Sequence, residues 1–153
     1  MIKQIFKATL VAGTLDIAAA FTQAYLSTGI TPDIVLRYIA SGIFGKDAFA
    51  GHTGYIIFGL LVHFFIVTMC AIIYFLFYPR FPVLHKSIAL NALLIAVTAW
   101  AMTTLVIIPL SKITPAPFDL TNAAIAIAIL YICVGIPIAL FAKSYFAKRK
   151  FHV

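Results

Sequence analysis

Four long apolar segments dominate the pattern of this chain. They cover about residues 5–26, 54–78, 87–110 and 120–141, and turn-forming or proline-rich stretches separate them. A helix rises about 1.5 Å per residue, so about 20 apolar residues cross the hydrocarbon core of a bilayer. The pattern therefore predicts four transmembrane helices. The proline-rich connection at residues 112–117, before the last segment, cannot be helical throughout.

A shorter apolar stretch between the first two segments has a different pattern. Thr31 is a suitable helix cap and Pro32 suits the first helical position, so a helix is predicted over residues 32–44. It is too short to span a bilayer, and it carries polar positions at Arg37 and Ser41. We expect an interfacial or partly re-entrant helix there.

The composition supports the same class. The chain of 153 residues is 64% hydrophobic and 10% charged, whereas a soluble domain carries about 25% charged residues. Too few charges remain to cover a globular surface. We therefore predict one domain, residues 1–153, with an all-α fold: a bundle of four transmembrane helices plus the short helix.

The net charge of +7 is better explained by membrane topology than by nucleic-acid binding, because the basic residues flank the apolar segments. With the N-terminus inside, eight basic residues lie on the inner side and three on the outer side. The bias predicts that both termini are cytoplasmic and that the short helix is on the outer side. The inner residues are Lys3, Lys7, Arg80, Lys86, Lys143, Lys148, Arg149 and Lys150, and the outer ones are Arg37, Lys46 and Lys112.

Several kinds of chemistry lack a supporting motif. Cys70 and Cys133 lie inside apolar segments without CxxC spacing, so neither a disulfide framework nor a zinc site is expected. Haem ligation by two histidines would need a second imidazole at the depth of His63. The chain has no HExxH or GxSxG motif and no paired carboxylates. We expect no cofactor, no metal and no enzymatic activity.

The first apolar segment carries a polar and small stripe on one predicted face. A charge near the middle of a bilayer is costly, so Asp16 on this face must be shielded, paired or protonated. The stripe recurs at spacings of three and four, and the opposite face is apolar. The stripe consists of Thr9, Gly13, Asp16, Ala20, Gln23 and Ser27, and the apolar face of Leu10, Ile17, Phe21 and Tyr25.

Each of the other three segments has a polar residue at the depth of Asp16. These are His63, Thr98 and Tyr131, and Gln23 shares the stripe of Asp16 itself. We predict that Asp16 and His63 pair and share or relay a proton, because a histidine can keep an intramembrane carboxylate charged. Thr98 and Tyr131 would be their hydrogen-bond partners. In the structural alternative, Asp16 is protonated or bonded to neighbouring hydroxyls and His63 only packs.

Five stretches of the chain carry a family resemblance. They are AGTLD at 12–16, IASGIFGKDAF at 39–49, GLLVHF at 59–64, VIIPLS at 106–111 and VGIPIA at 134–139. In these stretches the sequence resembles a family of uncharacterised small bacterial four-helix integral membrane proteins. The resemblance implies the fold and a bacterial inner membrane, but it brings no activity or ligand.

The leading functional hypothesis is a non-enzymatic membrane protein whose intramembrane polar site binds or passes a small solute or a proton. The chain is short for a complete secondary transporter, so a homo-oligomer or a larger membrane complex is expected. Two alternatives remain open. One is an accessory or assembly subunit of a larger membrane protein complex, and the other is a lipid- or quinone-binding membrane protein.

Overall fold

The structure is a computed structural model that describes residues 1–114 and 117–150. Residues 115 and 116, inside the predicted proline-rich connection, lie outside the described residues, as do the last three. The described residues form helices and loops without a strand. The helices are α1 (Ile2–Thr28), α2 (Pro32–Phe44), α3 (Gly54–Phe77), α4 (Ile88–Leu110) and α5, which runs from Leu120 to Lys150.

The all-α prediction is confirmed, and α1, α3, α4 and α5 are the predicted long apolar elements. All four are long and apolar enough to cross a membrane, by length and composition. Helix α2 follows the predicted bounds, and a 3₁₀ turn, Gly45–Phe49, continues it towards α3. A second 3₁₀ turn, Pro82–His85, lies between α3 and α4. These features are compatible with a multi-pass membrane protein.

Local signals explain where several helices begin and end. Helix α1 ends at Gly29, whose φ of 71° is a left-handed conformation that glycine adopts without a steric cost. The side chain of Ser87 accepts the backbone N–H of Leu90 at the start of α4. Asp119 accepts two backbone N–H groups at the start of α5, so its carboxylate compensates the positive helix end.

Helices α4 and α5 each contain a π-helical segment. In α4 it covers Met102–Ile107, and in α5 it covers Tyr131–Gly135. Each segment ends two residues before a proline, Pro109 or Pro137. Proline lacks an N–H group and its ring clashes with the carbonyl of residue i−4. The wider π turn accommodates that missing bond inside a continuous helix.

The helices are arranged so that one side of the bundle stays open. Helix α1 packs between α3 and α5, and α4 packs on α5. Helices α3 and α4 contact each other only sparsely, while α2 lies across α3. The gap between α3 and α4 is therefore bordered by α2 at one end of the bundle.

The opposite end of the bundle holds a cluster of buried apolar side chains. Phe75 and Ile138 are fully buried there, together with alanines of α1, α3 and α5. Small residues also bring helices together elsewhere: a Cβ on Gly59 would lie 2.0 Å from the carbonyl oxygen of Leu36, and one on Gly135 would lie 2.3 Å from that of Ala92. Such close backbone contacts are typical of helix packing in membrane proteins.

The predicted faces of α1 need one correction. Leu10 and Tyr25 are exposed, as the apolar face requires, but Ile17 is buried. The polar and small stripe includes Thr9 and Gly13, which are buried as well. The physical reason is that α1 contacts both α3 and α5, so its buried arc is wider than one stripe.

Candidate functional site

Helices α1 and α3 bring Asp16 and His63 together. The Nδ1 atom of His63 lies 3.9 Å from the Oδ2 atom of Asp16. Both side chains are largely withdrawn from the surface, with 10% of the His63 side chain and 19% of the Asp16 side chain exposed. At this distance the pair attracts electrostatically, but it does not form a direct hydrogen bond.

The second nitrogen of the His63 ring is held by the backbone of α1. Nε2 lies 2.9 Å from the carbonyl oxygen of Gly13. A carbonyl oxygen only accepts, so Nε2 carries a hydrogen and donates it. Gly13 also lets the two helices approach, because a Cβ at this position would lie 2.6 Å from the ring of Phe64. One turn of α1 thus presents both a carbonyl and a carboxyl group to the same imidazole.

This arrangement leaves one exchangeable proton, which either Nδ1 of His63 or the Asp16 carboxyl group can hold. With Nε2 engaged, Nδ1 is the ring nitrogen that faces Asp16. A proton there makes the ring an imidazolium beside a carboxylate, and a proton on Asp16 makes both groups neutral. In either case the pair carries no net charge, which suits a site surrounded by apolar helices.

Asp16 and His63 both line a cavity of about 620 Å³ between α3 and α4. Its walls are mainly apolar. Three hydroxyl groups, those of Thr103, Thr104 and Ser111, line it from the second half of α4 and the residue after it. The cavity therefore combines an apolar body with a small ionisable end.

Helix α2 and the chain after α4 meet at one end of this cavity. Tyr38 and Gly42 of α2 line the cavity, and the backbone N–H of Lys112 donates to the carbonyl oxygen of Gly42 at 3.0 Å. The hydroxyl of Ser111 accepts the N–H of Ile113 and donates to the carbonyl oxygen of Ile108. These bonds attach α2 to the end of α4.

The other predicted residues are not among those that line this cavity. Thr98 is exposed and lines a neighbouring cavity of about 420 Å³ with Tyr74, which shares Cys70 and Ala99 with the first cavity. Gln23 borders a shallow depression further along α1. Tyr131 is half-buried at the start of the π segment of α5. Equal depth did not place Thr98 and Tyr131 at the cavity wall, because depth along a helix does not fix its rotation.

Sequence reasoning missed the polar face that α4 does turn to the cavity. Trp100 precedes Thr103 and Thr104 at spacings of three and four residues. Residues at such spacings share one helical face. This spacing could have identified the face from the sequence. It selects Trp100 as a lining residue of the cavity, whereas Thr98 was predicted.

Arg37 of α2 has a structural role close to the site. Its side chain is buried, and it donates to the carbonyl oxygens of Ala48 at 3.0 Å, His52 at 3.2 Å and Gly51 at 3.3 Å. These bonds hold the connection between α2 and α3 against α2. They also compensate the charge of the buried guanidinium group.

Among residues 1–114 and 117–150, no group of three or more His, Cys, Asp and Glu side chains is arranged to hold a metal ion. Comparisons of the chain with protein-family models, with curated proteins and with solved structures gave no match. Fold and site geometry therefore define the class: an all-helical bundle with four helices apolar enough to span a membrane and an Asp–His pair beside a cavity.

Proposed function

We propose that this chain is a non-enzymatic multi-pass membrane protein that binds a small solute in the α3–α4 cavity and exchanges a proton at the Asp16–His63 pair. One observation carries the proposal: both members of the pair line the cavity. An ionisable residue inside a membrane bundle that faces a cavity is a functional candidate by default.

The bonding of Asp16 supports a functional role over a purely structural one. A carboxyl group that only held helices together would accept hydrogen bonds from neighbouring donors. Within the described part of the chain, the Asp16 carboxyl accepts none, and His63 is its ion-pair partner. The carboxyl group is therefore available to a solute in the cavity.

The proposal includes a location and an orientation. The Lys and Arg distribution supports both termini in the cytoplasm, with α2 on the other side of the membrane. The family resemblance supports a bacterial inner membrane. Passage of a solute or a proton, as opposed to its binding, is proposed for a homo-oligomer of this chain, because the chain is short for a complete transporter.

Proton movement in liposomes tests the proposal directly. Purified protein is reconstituted with a pH-sensitive dye inside, and a pH gradient is applied. We expect wild-type protein to dissipate the gradient and Asp16→Asn to lose this activity. The matched control is Asp47→Asn, because Asp47 is an exposed acid in the Gly45–Phe49 turn. Equal proton flux in wild type and Asp16→Asn, or no flux in wild type, would overturn the proposed function.

A further inference from the structure

We infer that the solute of the α3–α4 cavity is a lipophilic organic cation, whose charge is neutralised by Asp16 in exchange for the proton of the Asp16–His63 pair. This inference rests on the proposed function and names its ligand class. Three properties of the cavity carry it: the charge of its lining residues, the chemistry of its walls, and the side on which it opens.

The charge of the lining favours a cation. Among the described lining residues, Asp16 is the sole acid, and neither Lys nor Arg is present. A carboxylate in apolar surroundings repels an anion, and a neutral solute leaves its charge uncompensated. A monovalent cation makes the site neutral again. The ligand that this lining complements therefore carries one positive charge.

The chemistry of the walls favours an organic cation over a metal ion. A small inorganic cation needs several oxygen ligands, whereas the walls consist mainly of aliphatic and aromatic side chains such as Ile66, Trp100 and Ile107. The indole of Trp100 and the phenol ring of Tyr38 can attract a cation through their ring faces. The volume of about 620 Å³ lies within the range of about 300–1,000 Å³ that is common for pockets of drug-sized ligands.

The cavity also opens where a lipophilic compound would arrive. Helices α3 and α4 contact each other sparsely, and the lining residues Ile43 and Phe65 are exposed on the outer surface of the bundle. In a membrane, this surface faces acyl chains. A compound that partitions into the bilayer reaches the cavity from the side, without crossing the packed end around Phe75.

The exchange balances in charge and protons. In the empty site, the pair holds one proton and is neutral. When the cation binds, this proton leaves to water, Asp16 is a carboxylate, and His63 stays neutral with its Nε2 hydrogen on the Gly13 carbonyl. The cation then replaces the proton as the compensating charge. Each bound cation therefore releases a single proton.

The neighbouring titratable groups do not take part in this proton exchange. Cys70 of α3 and Cys133 of α5 are close enough to Asp16 to interact with its charge, but thiols are neutral in the range where histidine titrates. Tyr38 comes from α2, and a phenol is also neutral there. The described lining residues of α4 carry hydroxyl and indole groups, which do not titrate in this range.

Two probes of similar shape and opposite charge test the inference. Saturable binding of radiolabelled tetraphenylphosphonium and of tetraphenylborate is measured on detergent-purified protein. We expect binding of the cation only, a progressive loss of binding as the pH is lowered, and proton release on binding in weakly buffered solution. Asp16→Asn should weaken binding of the cation by at least about tenfold, while Asp47→Asn leaves it unchanged.

Two further variants separate loss of the site from loss of the fold. Trp100→Ala removes an aromatic wall but keeps Asp16, so binding of the cation should weaken by about fivefold to tenfold. Thr98 is on the same helix but does not line the cavity that contains Asp16, so Thr98→Val should bind the cation like wild type. Equal binding of both probes, or cation binding that is unaffected by Asp16→Asn, would contradict the inference.

The outcomes also distinguish this inference from the proposed function. Proton flux that depends on Asp16, without binding of tetraphenylphosphonium, would overturn the ligand class and leave the proposed function standing. Saturable binding of an uncharged quinone analogue that competes with the cation and is insensitive to Asp16→Asn would also overturn the ligand class, in favour of a quinone site. Absence of both proton flux and cation binding in the wild-type protein would overturn the proposed function and the ligand class.

Discussion

The Nε2 atom of His63 donates a hydrogen bond of 2.9 Å to the carbonyl oxygen of Gly13, one turn of α1 before Asp16. This bond sets the tautomer of the neutral ring and the direction of Nδ1, which lies 3.9 Å from the Asp16 carboxylate. A backbone group is a rigid acceptor, so the ring is oriented before any solute enters. The two ring nitrogens of His63 therefore have different roles: Nε2 attaches α3 to α1, and Nδ1 can exchange a proton with Asp16 in the proposed function.

Two substitutions of His63 should separate those roles. In His63→Gln, the amide can still donate to the Gly13 carbonyl but cannot titrate, so proton flux should be lost while thermal stability is retained. In His63→Leu, the hydrogen bond is lost too, at a cost of about 1 kcal/mol. Thermal unfolding in detergent and the liposome assay measure the two effects. If His63→Gln kept wild-type proton flux, His63 would have no part in proton exchange.

Gly59 should be essential for the docking of α2 on α3. A Cβ there would lie 2.0 Å from the carbonyl oxygen of Leu36, and backbone cannot yield as a side chain does. We expect Gly59→Ala to lower the stability by about 1–3 kcal/mol or more. Gly54→Ala is the matched control in α3, because no atom of the described residues beyond its own helix turn lies within 4 Å of a Cβ at that position. Similar thermal unfolding of both variants would show that α2 is not held at this crossing.

The sequence predicted the four long helices well, because length and apolar composition are sufficient to identify a helix that could span a membrane. About 20 apolar residues without a charge admit few alternatives to a spanning helix. Depth was predictable for the same reason, since each helical residue adds about 1.5 Å. This reasoning placed Asp16 and His63 at one level, and in the structure they lie side by side.

Rotation about the helix axes was not predictable in the same way. Thr98 lies two residues before Trp100, and two residues correspond to a rotation of about 200° around a helix. Thr98 therefore faces the neighbouring cavity. Further along α4, the π segment Met102–Ile107 changes the rotation again. Ile17 was assigned to the exposed apolar face of α1, because the pattern of one helix does not reveal how many other helices pack against it. Such features depend on packing, which one sequence without a structure leaves undetermined.

The start of α2 should respond to acid through Asp33. The hydroxyl of Thr31 donates to the Asp33 carboxylate at 2.5 Å, and this bond lowers the pKa of Asp33 below its ordinary value, with backbone N–H groups contributing. A lowered pKa means that the bond stabilises the folded state above the ordinary pKa. The contribution is lost as the pH falls through the lowered value.

Substitutions of Thr31 test this prediction. Thr31→Val should raise the pKa of Asp33 towards its ordinary value, while Thr31→Ser keeps the hydroxyl and should leave it low. An NMR titration of the Asp33 carboxyl carbon measures both. An unchanged pKa in Thr31→Val would assign the shift to the backbone N–H groups at the helix start.

Arg37 should hold the connection between α2 and α3 in place. Its guanidinium group donates to three backbone carbonyl oxygens, those of Ala48, Gly51 and His52. Bonds from a charged donor contribute about 1.5–3 kcal/mol. Lysine has a point charge on a flexible chain and cannot reproduce a planar fork. We expect Arg37→Lys to lose part of this stability and Arg37→Met to lose most of it.

Hydrogen exchange should locate this effect along the chain. In Arg37→Met, amide groups of residues 45–53 should exchange faster, while those of the packed end around Phe75 keep wild-type protection. Lys46→Met is the control, since Lys46 is an exposed basic residue of the same connection. Because Gly42 of α2 binds the chain after α4, loosening of α2 should also weaken binding of the cation in the cavity. Faster exchange without weaker binding would show that the connection and the cavity are independent.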